Sequence, residues 1–141
     1  MTPANRYLRI LVVDDSAVSR KLAEITLHRM PYELFMADCG EQALKLFEAH
    51  HPDVVITDWV MPGLSGPELC HIIRNRPNAR DTYLILLTSN SHADYIAQGL
   101  TAGADGYLLK PLRTNDLLAQ LSAARAILKS RRALEPATSL P

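Results

Sequence analysis

Five short apolar runs recur along this chain, at residues 8–13 (LRILVV), 32–37 (YELFMA), 53–57 (DVVIT), 83–88 (YLILLT) and 106–110 (GYLLK). Their length and their content of Val, Ile, Leu and aromatic residues are those of β-strands. Several show no alternation of polar and apolar positions, as expected of parallel strands covered on both faces. Amphipathic segments separate them. Residues 16–30 follow a Ser N-cap candidate and set Val18, Leu22 and Ile25 on one side. Residues 41–50 bring Ala43 and Phe47 together before Pro52 closes the segment. Leu69, Ile72 and Ile73 stripe a third helix starting near Pro67, a residue suited to a first turn. Ala93, Ile96, Ala97 and Leu100 follow helical spacing up to Gly103, and Leu117, Leu121, Ala124 and Leu128 do the same after Pro111. Strand then helix, five times over, predicts one α/β domain around a parallel sheet. Right-handed crossovers would place helices on both faces, giving a flavodoxin-like (βα)₅ three-layer sandwich with strand order 2-1-3-4-5.

A chain of 141 residues suits a single domain with a real core, here expected over 6–130. Residues 131–141 are expected to be a helix overshoot followed by a linker or disordered tail, since Leu134 stands alone and Pro136 stops the helix. Lys and Arg total 15 and Asp and Glu total 15, so net charge argues for neither nucleic acid nor a membrane as partner. The first residues, MTPANRYLRILVV, reach Asp14 and Asp15 without a long apolar stretch and read as neither signal peptide nor membrane span. Cys39 and Cys70 lack metal-ligand spacing and suit a reducing cytoplasm. His50 and His51 have no third ligand in view, and KSRR (129–132) is a short basic run at a helix end, where cations favour the dipole.

Ligands of open α/β sheets bind at the carboxyl ends of the strands. The first run ends in Asp14 and Asp15, the third in Asp58, the fourth in Thr88 and Ser89, and the fifth in Lys110 and Pro111. Taken singly, these could be a helix cap, a turn, a strand hydroxyl and a surface lysine. Their coincidence on one rim is what those readings leave unexplained. Three carboxylates brought together repel one another, and a hard divalent cation such as Mg²⁺ relieves that repulsion. A carboxylate beside such a cation, faced by an ammonium and a hydroxyl, is equipped to accept a phosphoryl group. Asp58 is therefore the expected phosphoacceptor, with Lys110 and Thr88 assisting.

The segments ILVVDDS, VITDWVMPGLSG, LILLTS and AGADGYLLKP, in this order across residues 8–128, resemble the successive motifs of the bacterial response-regulator receiver domain of two-component signalling. The resemblance implies Mg²⁺-dependent phosphorylation of Asp58 by a histidine kinase or phosphotransfer protein. It implies metal coordination by Asp15, Asp58 and the backbone carbonyl of Val60, with Asp14 acting through water. It also implies contact of Lys110 with the phosphoryl group, a cis Lys110–Pro111 peptide, and a switch pair of Thr88 and Tyr107. Val60 and Asn90 would flank the path of attacking water. The partners implied are an effector protein or a covalently linked output domain, such as a diguanylate cyclase or phosphatase; separately, the overshoot of the last helix is expected to pair with a phosphorylation-dependent second copy through Leu121, Leu128 and their neighbours. No direct nucleic-acid or membrane contact is expected. The competing reading is a metal-dependent phosphohydrolase with an aspartyl nucleophile, but those enzymes carry a second acid two residues after the nucleophile, where this chain has Val60. The protein is accordingly expected not to be an enzyme beyond promoting its own phosphorylation and dephosphorylation.

Overall fold

The computed structural model of the chain describes residues 8–28, 30–77, 79–89 and 92–134. Strand β1 (Arg9–Val13) leads into α1 (Ala17–His28), β2 (Glu33–Ala37) into α2 (Gly40–His50), and β3 (Val54–Asp58) into α3 (Gly66–Arg74). A 3₁₀ turn (Ala79–Asp81) precedes β4 (Tyr83–Thr88), which is followed by α4 (Ala93–Ala102), β5 (Gly106–Leu109) and α5 (Thr114–Leu134). All strand pairs are parallel and the order is β2-β1-β3-β4-β5, the predicted topology. Every residue of β3 and β4 is buried, which explains why their sequences do not alternate.

Alternate strand residues feed two cores. Ile10, Val12, Ile56, Ile85 and Leu108 pack on one face with Ala23 and Leu27 of α1 and with Leu117, Leu121, Ala124 and Leu128 of α5. Leu11, Val13, Val55, Leu84 and Leu86 pack on the other with Ala43 and Phe47 of α2, with Leu69, Cys70 and Ile73 of α3, and with Trp59. Local chemistry sets the helix ends. The Ser16 hydroxyl accepts the Ser19 N–H, as its N-cap position predicts. A capping box starts α3, with Ser65 Oγ accepting the Glu68 N–H and Glu68 Oε1 accepting the Ser65 N–H. Past α2, His51 adopts the left-handed conformation that ends helices.

Two helices present a different face from the one expected. In α1 the stripe of Val18, Leu22 and Ile25 is solvent-facing, with exposures of 70%, 54% and 51%, while Ala23 and Leu27 meet the sheet. In α4 the stripe of Ala93, Ile96, Ala97 and Leu100 gives way to Gly99, the helix's one fully buried residue. Each helix carries apolar residues around more than half its circumference, so periodicity marks a helix without saying which side turns inward. Small residues decide it, because they let the helix axis approach the sheet.

Helix α5 runs to Leu134, beyond its last core contact at Leu128. Leu121 and Leu128 are buried in the core and are not surfaces for a second copy. The last turn is anchored: Arg131 pairs with Asp105, and Arg132 donates to Asp53 Oδ1 at 2.8 Å. Asp105 also takes Arg74 at 2.7 Å and the Leu84 N–H, and Asp53 takes the Arg9 N–H. Asn90 and residues 135–141, with the expectations attached to them, lie outside the described residues. Among the described residues no helix is long and apolar enough to cross a membrane.

The burial pattern separates two leucines of similar prominence in the sequence. Leu121→Ala should lower the unfolding free energy by about 2–5 kcal/mol. Leu22→Ala should change it by less than about 0.5 kcal/mol. Urea titrations of both variants measure the difference.

Candidate functional site

Four charged side chains meet above the carboxyl ends of the strands. Asp14 follows β1 directly and is buried, Asp15 beside it is exposed, and Asp58 is the buried last residue of β3. Because β1 and β3 are neighbours, these ends lie side by side. One oxygen from each of the three carboxylates lies within 4.8 Å of the others. Lys110, just past β5, extends its ammonium to 3.1 Å from Asp58 Oδ1 and 3.6 Å from Asp14 Oδ2. The Lys110–Pro111 peptide is cis.

Asp14 does two jobs with its two oxygens. Oδ1 accepts the Ser16 N–H at 2.9 Å, shaping the turn into α1, so the helix-entry reading of this residue holds in part. Oδ2 is buried with no hydrogen-bond partner, the Lys110 ammonium standing 3.6 Å away. Orphaned buried oxygens are uncommon and call for an explanation. This one belongs to a cluster of hard oxygen donors, the set a divalent cation such as Mg²⁺ takes. Arg20 braces the same turn, its Nη1 donating to the Asp14 carbonyl at 2.6 Å. No spacing in the sequence singled out Arg20; its position one helical turn into α1 becomes informative only once the chain has folded back.

Electrostatics follow from burial. Desolvation pushes the Asp58 carboxyl above the ordinary value of 3.8, and the charge of Asp14 adds to the rise. The Lys110 ammonium and the Trp59 N–H, which donates to Oδ1 at 2.9 Å, hold it back in part. Burial alone would lower the pKa of Lys110, but its hydrogen bond to Asp58 and the charges of Asp58 and Asp14 outweigh that, so the net shift is upward. The ammonium is thus held charged.

Thr88 is buried at the end of β4, and its carbonyl accepts the Lys110 N–H at 2.8 Å. Tyr107 pairs with Leu86 in the β4–β5 ladder, and Leu109 pairs with Thr88. Tyr107 and Thr88 therefore share the α4 side of the sheet, with the tyrosine part-exposed. Val60 lies beyond Trp59 in the β3–α3 loop and is exposed. Trp59 stacks on Tyr95 of α4.

A family model for the response regulator receiver domain matches residues 10–122. The chain is 36% identical over 114 residues to the phosphate regulon transcriptional regulatory protein PhoB of Pseudomonas aeruginosa, covering 81% of this chain and 50% of that one. It spans about half the length of the curated relatives it matches. Among solved structures, the chemotaxis protein CheY4 of Vibrio cholerae superposes with a TM-score of 0.80 at 30% identity, over 84% of this chain and 99% of that one. The signal receiver domain of an HD domain-containing protein from Pseudomonas fluorescens gives 0.81 at 29% identity, over 96% and 97%. Sequence, topology and the acidic rim thus agree, and the chain belongs to the response regulator receiver domain family.

Proposed function

We propose that Asp58 accepts a phosphoryl group from a histidine kinase or phosphotransfer protein, and that this chain works as a phosphorylation-controlled switch of protein partners. The observation that carries the reading is the ammonium of Lys110 standing 3.1 Å from the carboxylate of Asp58, beside two further acids. Bound Mg²⁺ would supply positive charge to the phosphoryl oxygens in transfer, its proposed ligands being Asp15, Asp58 and the backbone carbonyl of Val60, with Asp14 acting through water. The Asp58 oxygen attacks phosphorus while the bond to the donor breaks. Lys110 compensates charge on the phosphoryl oxygens, and the Thr88 hydroxyl donates to one of them. Coupling to shape is assigned to Thr88 with Tyr107, which share the face beneath α4. The exposed apolar strip of Val18, Leu22 and Ile25 starts two residues past the turn at Ser16 and suits the approach of a donor protein. Val60 offers no acid two residues beyond Asp58, which supports a carboxylate that is charged and discharged in place of an enzyme turning over phosphate esters. A covalently linked output domain or a separate effector would read the state. The relatives of which this chain covers about half include proteins named as transcriptional regulators, so contact with nucleic acid by such an output is part of the proposal.

Acetyl phosphate with Mg²⁺ should add one phosphoryl group to the wild type, seen by intact mass. Asp58→Asn should take none, and excess chelator should abolish labelling; equal labelling of the variant would overturn the assignment. Thr88→Ala should still bind Mg²⁺ but lose the chemical-shift changes that labelling produces around α4.

A stability test isolates the electrostatics of Asp58. Its folded-state pKa is raised, so the folded form binds the proton more tightly than the unfolded chain. The resulting stabilisation is complete below the unfolded value of 3.8 and is lost as pH rises through the folded value. In chelator at pH 7, Asp58→Asn should therefore be more stable than wild type. The gain should shrink as the pH falls toward 3.8, as measured by urea unfolding at several pH values.

A further inference from the structure

We infer that Trp59 and Tyr95 are positioning residues that tie helix α4 mechanically to the carboxylate of Asp58. The inference rests on Asp58 being the acceptor. Trp59 is joined to the site through its backbone: its N–H is shared between Asp58 Oδ1 at 2.9 Å and the Leu87 carbonyl at 3.0 Å. Its side chain is joined to the helix. The indole stacks on the Tyr95 ring with centroids 3.9 Å apart and planes 20° from parallel.

Gly99 makes that junction possible. A Cβ built there would stand 2.5 Å from Leu86 Cδ1 and 2.9 Å from the Trp59 ring, so only glycine lets α4 settle onto the indole. Gly99 is also the one residue of α4 that is fully buried, while Ala93, Ala97 and Leu100 are exposed and Ile96 is part-buried. The tryptophan and tyrosine rings therefore carry much of what holds α4 down. A charge change at Asp58 alters the competition for the Trp59 N–H, because an oxygen esterified to phosphorus accepts more weakly than a carboxylate oxygen. The amide then favours the Leu87 carbonyl, and the indole moves with its own backbone. Tyr95 passes that movement to α4. The path leaves β3 directly and runs beside the one through Thr88 and Tyr107.

Hydrogen exchange over residues 93–102, with tryptophan emission as a second readout, tests the tie in wild type, Tyr95→Ala and Tyr95→Phe. The chain has a single tryptophan, so tryptophan emission comes from the indole of this stack. In the unlabelled proteins, Tyr95→Ala should exchange roughly two- to tenfold faster across α4, the worth of one aromatic pair. Tyr95→Phe should match wild type. After acetyl phosphate and Mg²⁺, with labelling read by intact mass, wild type and Tyr95→Phe should change in α4 exchange and in emission. Labelled Tyr95→Ala should show little further change in α4. A folded Tyr95→Ala that takes no label where Tyr95→Phe does would overturn the tie as described, since a coupling of roughly two- to tenfold shifts labelling and does not abolish it. If labelled Tyr95→Ala shows the same α4 response as labelled wild type, the tie is overturned. Absence of label in wild type would count against Asp58 as acceptor; the exchange of the unlabelled proteins would then decide whether the rings hold α4, and equal rates in all three would overturn it.

Discussion

Two buried carboxylates share one ammonium, and the organisation of this domain follows from that shortage of positive charge. Asp14 and Asp58 stand at the ends of adjacent strands, and Asp15 adds a third negative charge in solvent. Lys110 reaches them from β5, two strands beyond β3, a span of roughly 10 Å at ordinary strand spacing. A long flexible stem with a compact charge suits that distance and lets one ammonium address two acids at once. Three negative charges against one positive leave the rim under-compensated, and the orphaned Asp14 oxygen is the local sign of it. Further positive charge at this rim would stabilise it, and the cation proposed above would supply that charge to carboxylates that only the folded sheet brings together.

The mostly apolar sheet beneath the carboxylates makes their burial costly, and the Lys110 ammonium and the Trp59 N–H offset part of that cost at Asp58. The two cores divide the labour: α1 and α5 cover one face with ordinary aliphatic packing. The other face, under α2, α3 and α4, holds Trp59, and Thr88 and Tyr107 point to the same side. Two glycines bring helices close to the β3 end on this side. Gly66 lets α3 start against the Asp58 carbonyl, where its N–H donates to the Trp59 carbonyl at 2.7 Å, and Gly99 seats α4 on the indole. The segment after Asp58 is thus gripped by backbone contacts on one flank and by an aromatic stack on the other.

The sheet was readable in the sequence because burial on both faces leaves an unmistakable local mark, and β4 falls on the residues expected of it. The order of strands and the rim of Asp14, Asp15, Asp58 and Lys110 followed from the same reading, since polar residues at strand ends need only correct strand boundaries. The inward sides of α1 and α4 were not readable. Val18, Leu22 and Ile25 are as apolar as a core stripe, and what turns them outward is the closeness of Ala23 to the sheet, a tertiary property. The same holds for partners distant in sequence: nothing local announces that Tyr95 lies over Trp59, or that Arg132 meets Asp53 across 79 residues. Side-chain pairings of this kind depend on the register of whole layers.

The anchored end of α5 has a geometric consequence. The helix leaves the carboxylate rim at Thr114 and ends at the opposite pole, where Arg131 and Arg132 meet acids that precede β5 and β3. At 21 residues it is a rod of roughly 30 Å, fixed along its length by Leu117 to Leu128 and clamped at its far tip by guanidinium groups. A rod held in this way transmits rotation and tilt and absorbs little by bending. Because the clamp is ionic and only partly sheltered, its stiffness is set by the salt around it, so the orientation of the last turn of α5 is a quantity the solvent can tune.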